Sequence, residues 1–157
     1  PSIDDLDQRN TYIRFPTVWA DVEKHLDIIK ATPELKVRIT QTVSAYSYIY
    51  LDEFLDWAPV PVDMNFVYDP DYLSPAILPP VVRRRAHEKF RTTMGNKHEL
   101  GTLLSMYNND DWDETKWEHF CRYNDELDKI RGHKEGWREV FPELIVLCEL
   151  NDIQHRY

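Results

Sequence analysis

Two short stretches of this chain alternate apolar and polar residues with a period of two, and each follows a segment with the period of a helix. The stretches are Lys36 to Ser44, KVRITQTVS, and Val62 to Tyr68, VDMNFVY. In the first, Val37, Ile39 and Val43 share one face, and Arg38, Thr40, Thr42 and Ser44 share the other. In the second, Val62, Met64, Phe66 and Tyr68 oppose Asp63, Asn65 and Val67. Such alternation predicts strands with one buried face. The preceding helical stripes are Trp19, Val22, Leu26 and Ile29, which Thr17 can cap and Thr32-Pro33 ends, and Leu51, Phe54, Leu55 and Ala58, closed by Pro59 and Pro61. With Ser2-Ile3-Asp4 read as the end of an earlier strand, residues 1–70 run strand, helix, strand, helix, strand. Strands joined this way are parallel, with right-handed crossovers.

The polar faces leave two readings open. Parallel strands are usually apolar on both sides because helices cover them. A polar side is expected either in the lumen of a ligand-holding barrel or on the wetted face of an open sheet. After Asp69 the chain changes character. DPDYLSPAILPP has four prolines in twelve residues and reads as a stiff loop. Only helical patterns follow. Val82, Ala86 and Phe90 mark one that closes near Gly95, and Leu100, Leu103, Leu104 and Tyr107 mark the next. Asp111 and Glu114 have capping-box spacing before Trp117, Phe120, Cys121, Leu127 and Ile130, a helix that Gly132 ends. Pro142 suits the first turn before Leu144, Ile145, Leu147 and Cys148.

Composition removes several functional classes. The 157 residues make one domain or a piece of a larger one, and four glycines supply neither a P-loop nor a dinucleotide fingerprint. A net charge of −9 argues against a nucleic-acid surface. The basic run Arg83-Arg84-Arg85 reads as a solvated helix face or a local anion or partner contact. No apolar run approaches a membrane span and no leader is evident, so the expectation is a cytoplasmic protein with no membrane partner. Cys121 and Cys148 lack CxxC spacing and read as buried thiols of a reducing compartment, and no histidine pair has metal-ligand spacing. His98, His133 and the others join no catalytic arrangement, and His87-Glu88 reads as a solvated helix face. Asp4, Asp5 and Asp7 follow a strand end, where ligands of parallel folds bind, and either hold a ribose, metal or amine or cap the next turn. Arg14, between Ile13 and Phe15, reads either as a carboxylate or phosphate clamp or as a surface side chain packed on aromatics.

Taken in order, these segments resemble radical S-adenosylmethionine (SAM) enzymes of the SPASM or twitch type. The resemblance lies in Ser2-Ile3-Asp4, Tyr12-Ile13-Arg14, Trp19 and Val22, then KVRITQTVS, YLDEFLDW and NFVYDPDYLSPAILP, and finally FCRYNDELDKIRG and WREVFPEL. It covers nearly the whole chain through an ordered series rather than one specific motif. The implied fold is α/β: a partial (β/α) barrel of about three parallel strands with crossover helices over residues 1–80, then a helical twitch-like extension over 81–157. The implied chemistry is reductive SAM cleavage at a [4Fe–4S] cluster, giving a 5′-deoxyadenosyl radical that abstracts hydrogen from substrate. The family's CxxxCxxC cluster loop is not in this sequence. The chain is therefore expected to be the C-terminal, substrate-side portion of such an enzyme, holding neither cofactor alone and inactive alone. Its expected partner is the missing N-terminal barrel half or a separate cluster-bearing chain, with a peptide or small polar substrate. The resemblance places Ser2, Asp4, Thr42, Ser44 and Ser47 on the cofactor side, and Arg14 and Asn65 on the substrate side. Asp5 stands where the family usually has Gly, and Ser47 where it often has Asn. The alternative from another class is a non-catalytic binding module that pairs with a cluster-bearing half.

Overall fold

The computed structural model describes residues 1–94, 99–132 and 135–156, without the side chains of 99 and 100. The elements are α1 (Asp7–Ile13), α2 (Trp19–Ala31), β1 (Ile39–Val43), α3 (Leu51–Trp57), β2 (Val62–Phe66), α4 (Pro80–Met94), α5 (Glu99–Ser105), α6 (Glu114–Arg131), α7 (Trp137–Val140) and α8 (Pro142–Leu150). Single 3₁₀ turns lie at Tyr48–Tyr50, Asp71–Leu73 and Pro75–Ile77. Among the described residues no helix is long and apolar enough to cross a membrane. The expected helix stop near Gly95, His98 and His133 lie outside the described residues, as does the side chain of Leu100.

β1 and β2 pair in parallel, from Ile39 opposite Val62 to Val43 opposite Phe66. The expected partial barrel is not formed: among the described residues the sheet has two strands. Residues 1–3 flank β1 through a single bridge, Ser2 to Thr40, with the Thr40 amide on the Pro1 carbonyl and the Ile3 amide on the Thr40 carbonyl. The reason is local. The next amides, of Asp4 and Asp5, turn away to the Asn10 side-chain oxygen at 3.1 and 3.5 Å, which starts α1 instead of lengthening a strand. Beyond β2 the proline-rich loop breaks into 3₁₀ turns, so no further strand follows there.

One face of the sheet is covered and the other is open. Ile39, Gln41 and Val43 are buried on the covered face. On the other, Thr40, Asp63 and Asn65 are exposed and Thr42 is half-buried. Arg38 forks onto Asp63 across the strands, Nε to Oδ2 at 2.7 Å. Of the two readings of the polar faces, the structure has the wetted one.

A large apolar cluster joins Tyr12 and Val43 to Phe90, Trp117, Phe120, Trp137, Phe141 and Cys148. A smaller one gathers Ile3, Leu26, Ile39 and Phe54, with Trp19 and Trp57 at its edge, ring centroids 5.5 Å apart. Both cysteines are free and buried.

Several local expectations need correction. Val18, not Thr17, is the N-cap of α2, because the Thr17 hydroxyl is turned back onto the Arg14 carbonyl. The cap of α6 is Asp113, whose Oδ1 accepts from the Thr115 amide at 3.1 Å, because Asp111 lies too far upstream. Ile130 is 80% exposed, and the inner stripe of α6 instead runs Trp117, Phe120, Cys121, Asn124. Gly132 stops α6 as expected, at φ 62°, where a side chain is disfavoured.

The basic run of α4 is divided. Arg84 and Arg85 are exposed, but Arg83 is 2% exposed and donates to the carbonyls of Tyr107 and Asp111 and to Asn109 Oδ1. It ties α4 to the turn before α6. His87 is also buried, 2.9 Å from the Tyr48 hydroxyl, rather than solvated. Replacing Arg83 by Met is therefore expected to cost about 3 kcal/mol, since three acceptors lose a charged donor. Replacing Arg84, which meets only the exposed Asp110, should change stability by less than about 0.5 kcal/mol. Urea unfolding of both variants tests this, and equal losses would sink it.

Candidate functional site

In parallel sheets the carboxyl ends of strands are where ligands bind, because loops diverge there and leave amides and side chains uncommitted. β1 ends in a tight turn. The Ser44 amide donates to Ser47 Oγ at 3.1 Å, and the Ala45 amide donates to the Leu73 carbonyl at 2.8 Å. Above this turn lies a cavity of about 160 Å³. Asp4, Thr42 and Ser44 line it from the strand ends, Tyr12 and Ile13 from α1, Tyr46, Val67 and Leu73 from the loops, and Tyr123, Leu127 and Arg131 from α6.

Asp4 organises the floor. Its carboxylate is buried, with Oδ1 accepting from the Thr42 amide at 2.7 Å and from Arg14 Nη2 at 3.2 Å. Arg14 Nε lies 2.8 Å from Oδ2. Gln41 Nε2 holds the Asp4 carbonyl at 3.1 Å. A buried carboxylate needs such partners, and these leave the Asp4–Arg14 pair electrically neutral.

The walls are aromatic and fixed from behind. The Tyr12 hydroxyl donates to Asp128 at 2.9 Å, and the Tyr46 hydroxyl donates to Asn124 Oδ1 at 2.7 Å. Asn124 Nδ2 is held in turn by the Phe120 carbonyl. Burial holds both phenols well above the usual tyrosine range. Arg131 donates to the Tyr12 carbonyl at 2.7 Å and lies over the Tyr12 and Phe15 rings, 5.4 and 5.0 Å from their centroids. Ser44 is 6% exposed, and its hydroxyl oxygen has no hydrogen-bond partner.

Of the residues singled out in the sequence, Asp4, Thr42 and Ser44 meet in this cavity. Arg14 stands behind Asp4 as its counter-ion. Ser47 is buried beneath the turn as the acceptor for Ser44. Ser2 and Asn65 are exposed, Ser2 at the bridge to Thr40 and Asn65 on the open face opposite Thr42, and neither lines the cavity. The sequence reading missed Tyr46, Tyr123, Asn124 and Arg131. Asn124 carried a signal, since it continues the spacing of Trp117, Phe120 and Cys121. Arg131 carried none.

The cysteines do not fit an iron–sulfur cluster. Both lie in the apolar core, and burial pushes the Cys148 thiol up to about 12 and Cys121 further still. Among the described residues no group of three or more His, Cys, Asp or Glu is arranged to hold a metal ion. No protein-family model, curated protein or solved structure matches the chain.

Asp5, beside this floor, makes the site sensitive to pH. Burial pushes its carboxyl up to about 7, although Arg9 Nε is 2.9 Å away and the Leu6 amide also donates to it. A carboxyl whose folded pKa exceeds its unfolded value, 3.8, favours the folded state at low pH. That contribution falls as pH rises through the window between 3.8 and about 7, and is flat above it. Between pH 5 and pH 8 the native chain should lose on the order of 2 kcal/mol relative to Asp5→Asn. Urea titrations of both at the two pH values measure this, and parallel pH profiles would refute it.

Proposed function

We propose that this chain supplies the substrate-side wall of a radical SAM enzyme acting in the cytoplasm, with the [4Fe–4S] cluster carried by a different segment or chain. The observation that carries this reading is an uncovered polar sheet face, Thr40, Thr42, Asp63 and Asn65, leading to a cavity at the strand ends that holds an unpartnered buried hydroxyl. The residues that carry the family resemblance, Asp4 and Thr42, lie at the junction of the two. The buried, unpaired thiols suit a reducing compartment.

SAM, when bound and given one electron by the cluster-bearing part, would release methionine and supply a radical able to abstract hydrogen from an unactivated carbon. This chain's own part is binding and orientation. Asp4 and Thr42 are the residues that fit the cofactor. The Asp4 carboxylate is fixed in direction by Arg14 and the Thr42 amide, so a hydroxyl donor that reaches it would meet an acceptor needing no reorganisation. The Tyr12 and Tyr46 rings exclude water beside it. No step is assigned to the cluster, since neither cysteine fits it. The same open face favours a second reading, a non-catalytic module that docks onto a cluster-bearing half.

The DNA upstream decides first: a frame encoding CxxxCxxC, continuous or separate, supports the proposal, and a neighbourhood without one opposes it. The assembled protein should then bind and cleave SAM. Asp4→Asn should weaken SAM binding by about tenfold in calorimetry, the worth of one charged hydrogen bond. Docking without SAM cleavage leaves the module reading. A stoichiometric [4Fe–4S] cluster and SAM cleavage by this chain alone, after iron and sulfide reconstitution, overturn both.

A further inference from the structure

The cavity at the end of β1 has room for a small group. An apolar cavity of about 150 Å³ accommodates a benzene ring, and this one is about 160 Å³. It therefore takes roughly six to nine heavy atoms, and the rest of a larger guest would lie outside its open mouth. Its lining is mixed in a specific way. Three tyrosine rings, Tyr12, Tyr46 and Tyr123, give it apolar walls. The hydroxyls of Tyr12 and Tyr46 are already committed to Asp128 and Asn124.

Beside the hydroxyls of Thr42 and Tyr123, two polar groups of the lining bear on the guest. Ser44 is 6% exposed and lines the cavity, and its Oγ is itself enclosed and has no partner. A buried hydroxyl without a partner is costly, and such a group usually marks an absent ligand or water. The second is Arg131. The lining contains two charged side chains, Asp4 and Arg131. Asp4 is neutralised by Arg14. Arg131 is held by a neutral carbonyl and two ring faces, and among the described residues no carboxylate pairs with it. Arg131 is thus a lining cation without an ion pair among the described residues, with the Asp128 carboxylate one turn earlier on α6 turned to the Tyr12 hydroxyl. An amine would meet repulsion there, and a neutral guest would leave the guanidinium unpaired.

We infer that this cavity binds a small carboxylate with a compact apolar body, its ring or chain lying among the three tyrosines and its oxygens accepting from Ser44 Oγ and Arg131. This moves Ser44 from the cofactor side, where the family resemblance put it, to the substrate side. The inference rests on the reading of this end of the sheet as substrate-facing, but its test requires neither SAM nor a cluster.

The probe is benzoate, with benzyl alcohol and benzamidine as controls of similar shape, titrated into the full chain and followed by calorimetry and by proton NMR of the tyrosine rings. Benzoate should saturate, benzyl alcohol should bind at least about tenfold more weakly, and benzamidine should not bind. Ser44→Ala, which removes one oxygen and leaves the turn intact, should weaken benzoate by about tenfold. Arg131→Gln should abolish the preference for benzoate over benzyl alcohol. Equal binding of benzoate and benzyl alcohol, binding of benzamidine, indifference to Ser44→Ala, or no saturation by about 10 mM benzoate each overturns the inference. Benzoate binding, where neither the upstream frame nor a neighbouring gene encodes CxxxCxxC, would leave this site standing and sink the radical reading. SAM binding without benzoate binding would do the reverse.

Discussion

The Asp4 carboxylate is the point on which the rest of this end of the molecule depends. Residues 1–3 hold to β1 by one bridge, too little to fix a chain segment against its lost backbone entropy. The carboxylate adds a bond to the Thr42 amide and an ion pair to Arg14, so both ends of α1 are tied to the sheet. Tyr12 is thereby set against Asn124 and Asp128 of α6. A single buried anion thus joins the strand end, the first helix and the long helix. Removing it would leave Arg14 part-buried without its partner, a larger loss than the attraction alone.

The second constraint is the polar spine behind the aromatic walls. Asn124 sits fully buried in the stripe of α6, accepts from the Tyr46 hydroxyl and lies 3.1 Å from the Tyr12 hydroxyl. Asp128 receives Tyr12 and the Trp137 amide, which carries α7 onto the same helix. Such a network rigidifies a core only when its members are satisfied. These acceptors are, and neither ring they hold can turn without breaking its hydroxyl bond. The cavity keeps its shape for that reason.

How much of this was legible in the sequence follows from which forces act locally. β1 and β2 were legible because period-two alternation over five residues is a local signal that burial of one face preserves. The barrel was not, because closing one requires strands that the Asn10 side chain and the prolines after Asp69 divert. α1, DQRNTYI, has no apolar stripe, and its place is set by partners far along the chain, Asn124, Asp128 and Arg131. Arg83 and His87 look solvated in a helix with Arg84, Arg85 and Glu88. Only the turn at Tyr107–Asp111 and the Tyr48 hydroxyl make them interior. Of the cavity, the floor was legible and the roof was not, since Tyr123 and Arg131 lie 79 and 87 residues along the chain from Ser44 and further still from Asp4.

Ser44 is where local logic and tertiary logic part. A hydroxyl at the end of a strand would ordinarily cap the following turn, but here that task falls to Ser47, which accepts the Ser44 amide. Ser44 is thus released from the backbone and buried without a partner, at a cost of about 1–3 kcal/mol if nothing binds there. Packing alone would be better served by alanine, which would fill the same turn and leave no polar atom unmet. The charge of Arg131, without an ion pair among the described residues, poses the same question from the opposite wall, since a neutral residue could also donate to the Tyr12 carbonyl. A buried hydroxyl that opposes stability and a cation without an ion pair, facing one small aromatic space, are the pattern expected where a fold is shaped by what it binds.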